Sequence, residues 1–226
     1  MSSARARILA RLRQSAPPAD PADPAVPLRR FDWDSRELLA RFRERLEAVH
    51  GEVHLVGDDW PRRAFDLLQA RGVRRLLYGP EAPPGATLEA AWREVPAASS
   101  KIELVAYREP VEAFRDSLFD TVDAGFTCCR GAIAETGSLV LWPDAREPRL
   151  LSLVPPIHLA LLEGGSIRST FAELLDAQAW SMGMPANALL ITGPSKSADI
   201  EQTLTYGVHG PKALIVLVRV DDGGGA

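Results

Sequence analysis

Cysteine is the scarcest chemistry in this 226-residue chain: there are two, and they are adjacent, Cys128 and Cys129. Two neighbouring thiols cannot supply the four thiolates of an iron–sulfur cluster or a structural zinc site, so neither is expected in this chain. They read as reduced thiols on a half-buried strand, which fits a reducing cytoplasm. Four histidines offer no metal set. His50 and His54 are four apart, but Gly51 breaks the helix that would align them. His158 lies in the apolar run 158–162 and reads as a hydrogen-bonded core histidine. Lysine is almost absent: Lys101, Lys196 and Lys212 stand among 26 basic residues. No apolar run approaches the roughly 20 residues that cross a bilayer as a helix. The formal net charge of −4 gives no general pull toward nucleic acid.

What is present is the composition of a globular protein, with 46% apolar and 25% charged residues. A chain of this size buries about 70% of its unfolded surface. Residues 1–16 carry no acid but include Arg5, Arg7, Arg11 and Arg13. That composition is also that of a transit peptide. The simpler reading is an amphipathic helix presenting Ile8, Leu9 and Leu12. Residues 16–27, APPADPADPAVP, form a linker that cannot be helical throughout. The expected division is therefore an arm and linker over 1–27, an α/β domain over 28–220, and a mobile tail over 221–226. The linker can carry the arm to a second copy, which leaves a homo-oligomer open.

Within the body, periodicity predicts helices over 35–50, 61–71, 111–123 and 170–181. Strands are expected at 53–56, 73–78, 102–107, 126–133, 138–142, 150–154, 188–191 and 213–220. The alternation implies a three-layer α/β/α sandwich on a mainly parallel sheet, with an antiparallel extension around 126–154.

Site-like chemistry concentrates in 192–211, TGPSKSADIEQTLTYGVHGP. Gly193-Pro194 turns the chain, and Ser195 or Ser197 can cap a helix carrying Asp199 and Glu201 in its first turns. Gly207 can end that helix in a left-handed conformation. The N–H groups at such a helix start can cradle an anion. It is not a nucleotide-triphosphate loop, because Ser195 stands where a glycine must precede the lysine. Where any cation would serve this chain uses arginine, so the compact ammonium of Lys196 is a ligand candidate. His209, flanked by Gly207 and Gly210, can donate to a ligand that approaches the backbone. A second candidate is the turn Glu135-Thr136-Gly137-Ser138 between two apolar strands. A carboxylate there can act as acid/base, nucleophile or clamp, or merely stabilise a β-turn.

Three blocks, AETGSLV at 134–140, TGPSKSADIE at 192–201 and GVHGP at 207–211, occur in that order. With them the chain resembles the lactate utilization protein C family (the LUD domain) over roughly residues 30–220. Ser197 replaces the family's more usual threonine and keeps the hydroxyl. The resemblance implies an α/β fold like those of sugar-phosphate isomerases and CoA transferases. It implies a role in oxidising L-lactate to pyruvate beside two iron–sulfur partner proteins. The first reading of these residues is a small anionic ligand, or an anionic cofactor, between the 135–138 turn and the 192–211 segment, with Glu135 as acid/base or polar clamp, the Ser195–Ser197 backbone as anion cradle and His209 as a donor. Thr136, Gly137, Ser138, Thr192, Gly193, Pro194, Ser195, Lys196, Ser197, Asp199, Glu201, Gly207 and Gly210 would then bind the ligand. Two other readings fit the blocks: an independent acyl- or CoA-transferase-like or sugar-phosphate enzyme using Glu135, and a non-catalytic scaffold for the iron–sulfur subunits. The ligand and any cofactor are not identified by the residues.

Overall fold

The structure is a computed structural model and describes residues 4–15, 29–95, 102–200 and 203–220. The linker, Lys101, Glu201 and the tail lie outside the described residues. The helices are α1 (Ala4–Ser15), α2 (Ser35–Glu47), α3 (Trp60–Ala70), α4 (Pro83–Arg93), α5 (Val111–Asp120), α6 (Leu150–Leu153) and α7 (Phe171–Ala177). The first six strands are β1 (Gly51–Val56), β2 (Arg75–Tyr78), β3 (Glu103–Ala106), β4 (Ala124–Cys128), β5 (Gly131–Ile133) and β6 (Ser138–Leu141). The others are β7 (Ile157–Glu163), β8 (Ile167–Arg168), β9 (Leu189–Ile191), β10 (Lys196–Ile200), β11 (Thr203–Tyr206) and β12 (Ala213–Arg219).

Six strands form the main sheet in the order β1-β12-β7-β4-β2-β3, and every neighbouring pair in it is parallel. Strands buried on both faces need apolar residues at every position, and β12 reads ALIVLVR for that reason. Alternate side chains of the central strands serve two different cores. On one face Leu159, Leu161, Ile215 and Leu217 pack with Trp60, Phe65 and Leu68 of α3 and Leu88 and Trp92 of α4. On the other, Ala160, Leu162, Leu214, Val216 and Val218 pack with Phe42 and Leu46 of α2 and with Leu139 and Leu141 of β6. Beyond them, Leu77 of β2 meets Leu118 of α5 and Leu151 of α6.

The expected parallel sheet with helices on both faces is therefore observed. The antiparallel strands do not extend it. They belong to a separate four-stranded sheet, β8-β5-β6-β9, packed on one face, in which β5-β6-β9 are antiparallel and β8 runs parallel to β5. Ile133 and Val140 on its far side are covered by Leu174 of α7 and by Trp180. Two further expectations change. Residues 150–153 are the helix α6, not a strand, and Gly125 explains its seat: a Cβ there would lie 2.0 Å from the Leu151 carbonyl oxygen, so only glycine lets α6 lie against β4. The helix α4 (Pro83–Arg93) is an addition to the expected elements. Proline is well placed in a first helical turn, where its N–H would have no partner.

Candidate functional site

The 192–211 segment does not contain the helix expected after Ser195 and Ser197. It is a hairpin: β10 and β11 pair antiparallel, with Lys196 opposite Tyr206 and a register break between Ser197 and Ile200. Ile200, Thr203, Thr205 and Tyr206 favour a strand over a helix. The backbone closes the hairpin at its base. The Ser195 N–H donates to the Pro211 carbonyl at 2.8 Å, and the Gly207 N–H donates to the Ser195 carbonyl at 2.9 Å. The Ser195–Ser197 backbone is therefore not a helix start with free N–H groups, and the cradle expected there is corrected accordingly. Gly207 does adopt the left-handed conformation, at φ 74°, but it ends a strand. Asp199 lies on β10.

The three sequence blocks meet in space. Ser138 and Thr192 sit at paired ends of β6 and β9, and their hydroxyls are 2.6 Å apart. The Thr136 hydroxyl lies 2.8 Å from that of Ser138 and extends the chain to three. The second and third blocks are joined through Ser195, Gly207 and Pro211 as above, and a Cβ on Gly210 would approach that of Ser195 to 3.1 Å. Gly137 and Gly193, both at positive φ, rest against the end of α2 and the residues after it, at Arg45 and Val49.

Beneath the second and third blocks is a cavity of about 350 Å³. Thr192, Gly193, Pro194, Ser195, Lys196, His209, Gly210 and Pro211 line it from above, and Leu153, His158 and Leu214 line it from the body. His158 and Leu214 belong to the amino ends of β7 and β12, so this cavity opens at the opposite edge of the sheet from the usual carboxyl-end crevice. Lys196 and His209 are exposed at its rim and, among the described residues, belong to no ion pair.

His158 is the residue that the sequence did not mark as part of a site. It is 1% exposed. Its Nε2 lies 2.8 Å from the Thr127 hydroxyl, as a core histidine requires, but its Nδ1 is buried without a partner among the described residues. Burial lowers its pKa to about 3, so the imidazole is neutral. A neutral ring with one nitrogen fixed and the other free can exchange a hydrogen bond with a ligand hydroxyl. No sequence signal separates this histidine from an ordinary buried one.

Glu135 is placed differently from the other candidates. Its turn is as expected, between antiparallel β5 and β6. Its carboxylate is 3.7 Å from the exposed Arg29 guanidinium, its N–H donates to the Ser169 carbonyl at 3.1 Å, and it is not among the residues that line the cavity. Cys128 and Cys129 are free thiols. Burial, with Glu147 nearby, pushes both their pKa values well above the usual thiol range. Thiols held protonated in this way are poor metal ligands and poor nucleophiles.

The family model of the LUD domain matches residues 39–218. An uncharacterized protein of Neisseria meningitidis serogroup B is 34% identical over 97% of this chain and 95% of its own length. Lactate utilization protein C of Macrococcus caseolyticus is 36% identical, but over 44% of this chain and 45% of its own length. The Bacillus subtilis protein of that name is 38% identical over 44% and 43%. The chain thus matches less than half the length of these lactate utilization relatives. The crystal structure of a DUF162 family protein from Deinococcus radiodurans superposes with a TM-score of 0.61 over 83% of this chain and 99% of that one, at 23% identity, and so shares its fold. The chain belongs to the LUD-domain family.

Proposed function

From that membership we propose that this chain serves lactate utilization by binding a small anionic ligand in the cavity beneath its second and third sequence blocks. The observation that carries the reading is that the second and third blocks line one cavity, braced by the first through the Ser138–Thr192 hydroxyl contact, with Lys196 and His209 at its rim and the neutral ring of His158 in its lining. An ammonium and an imidazole at the mouth favour a carboxylate, and a neutral buried imidazole suits the hydroxyl of a 2-hydroxy acid. Thr192, Gly193, Pro194, Ser195 and Gly210 shape the walls. Thr136, Gly137, Ser138 and Gly207 support them from outside, with Ser197 and Asp199 on the adjoining strand. In this reading the oxidation of L-lactate to pyruvate takes place with iron–sulfur partner proteins in the cytoplasm. The clusters are the partners', because two adjacent protonated thiols do not make a cluster's ligand set.

Calorimetric titration with L-lactate and pyruvate tests the reading. Lys196→Gln and His209→Ala are each expected to weaken binding by about tenfold, the loss of one charge-assisted hydrogen bond. Binding unchanged in both variants would remove this cavity as the site.

A further inference from the structure

The main sheet has a second place built for a ligand. Chain order along the sheet reverses between β2 and β4: β2 leads outward to the edge strand β3, whereas β4 leads the other way to β7 and β12. Where order reverses, the flanking connections part and leave a crevice outside the carboxyl ends of the strands. Here the crevice has a volume of about 320 Å³. Ala82, Pro83 and Pro84, after β2, form one wall, and Cys128 to Arg130, at and just beyond the end of β4, form the other. None of its residues belongs to the three sequence blocks.

Its charges are arranged asymmetrically. Arg146 is closed on Asp144 through Nε at 3.1 Å and Nη2 at 2.9 Å. The other oxygen of Asp144 accepts the N–H groups of Arg146 at 2.7 Å and Glu147 at 3.0 Å, so that carboxylate is saturated. Arg130 is different. Its guanidinium lies over the Trp142 ring, 4.8 Å from the centroid, and among the described residues it has no carboxylate partner.

The backbone of Arg130 is nevertheless fixed at both ends. Its N–H donates to the Val140 carbonyl at 2.7 Å, and its carbonyl accepts from Gln178 Nε2 at 2.7 Å. The same Gln178 accepts the Trp180 indole N–H at 3.0 Å, and Trp180 packs on Trp142 with ring centroids 5.1 Å apart. A planar cation is thus held in place, stacked and open on its donor edge. That is the arrangement suited to a bidentate carboxylate. Pro83 and Pro84 lack N–H groups, so the start of α4 offers few donors and recognition falls to the guanidinium.

The remaining wall carries little charge. Glu147 is largely buried. One of its oxygens accepts the Cys128 N–H at 3.2 Å, and the other is sealed without a partner among the described residues. Burial raises its pKa and those of both thiols, so this wall disfavours negative charge. Arg130 thus brings to the crevice one positive charge that no described carboxylate neutralises, which matches a monoanion better than a dianionic phosphate.

We propose that this crevice is a second ligand site, separate from the cavity beneath the sequence blocks, that takes a small organic monocarboxylate through Arg130. The inference is independent of the lactate role above. Titrating the full chain with acetate, L-lactate, pyruvate and inorganic phosphate tests it, with thermal unfolding as the control for folding. Monocarboxylates are expected to bind. Arg130→Gln should weaken one binding event by about tenfold or more, while Lys196→Gln leaves that same event unchanged. Glu147→Gln, neutral at every pH, should bind at least as well as the parent. The proposal is overturned if Arg130→Gln binds every carboxylate as the parent does, if no monocarboxylate gives heat at tens of millimolar, or if phosphate binds in preference to all of them. Failure of the first cavity would instead appear as indifference to Lys196→Gln and His209→Ala, so the two ideas fail separately.

Discussion

His158 and Glu135 exchange the roles that their surroundings in the sequence suggest. The histidine, placed in an apolar run, faces the cavity. The glutamate, placed in a polar turn, faces Arg29. His158 makes a pH prediction with a definite sign. Its pKa is about 3 in the folded chain and near the ordinary 6.5 when unfolded. The unfolded chain therefore binds a proton first. Stability from this residue is complete above about pH 6.5 and falls as pH drops toward 3, by up to about 1.4 kcal/mol per pH unit. Glu147, with its raised pKa, contributes in the opposite sense, losing stability as pH rises through its folded value. Comparison with His158→Gln isolates the histidine: unfolding followed between pH 6.5 and 5 should slope less in the variant than in the parent. Equal slopes would mean that His158 is protonated in the native state. For Glu135, the Arg29 partner is 75% exposed, and such a pair is worth less than about 1 kcal/mol. Glu135→Gln should leave stability and cavity affinity nearly unchanged. Loss of lactate-dependent growth at normal protein level would assign the carboxylate to chemistry after all.

At the scale of elements, legibility followed burial pattern. Strand β12 and helices α2 and α3 were readable because their apolar spacing is dictated by one or two buried faces, whereas β7 showed only as an apolar run. The β5–β6 hairpin was readable from Glu135-Thr136-Gly137, since Gly137 at φ 69° provides the turn. Local pattern failed where long-range contact decides. Leu150–Leu153 is apolar enough for a strand and too short to show helical period. It is a helix because it lies on Gly125, a residue distant in sequence. In 195–206 serine caps and acidic first-turn residues imitate a helix start. Pairing of the Ser195 backbone with Pro211 and Gly207 commits the segment to a hairpin instead. The convergence of the three blocks was legible because each contains a glycine turn next to an apolar strand. The cavity's floor was not, because His158 and Leu153 reach it from elements whose placement depends on the whole sheet. The crevice at Arg130 was equally hidden, since a reversal of strand order leaves no local mark in the sequence.

At the scale of the molecule, one parallel sheet has candidate sites at both its edges. Residues 29–220 supply the buried residues of every core cluster. The described side chains of α1 take no part: Ile8, Leu9 and Leu12 are 60%, 40% and 61% exposed. A twelve-residue helix whose described side chains enter none of the core clusters is marginal by itself in water, so its contribution to the stability of the body should be small. For a chain of this size 1 kcal/mol shifts Tm by roughly 2–4 °C. Deleting residues 1–24 should therefore move Tm by less than about 2 °C and leave both binding events unchanged. The apolar stripe on α1 gives the opposite outcome its meaning. If the arm covers its stripe against a second copy, deletion lowers Tm by many degrees and makes it independent of protein concentration, because an oligomer's stability includes mass action and a monomer's does not. Calorimetry of both chains at two concentrations, with sedimentation of each, separates a solvated arm from one that packs between subunits.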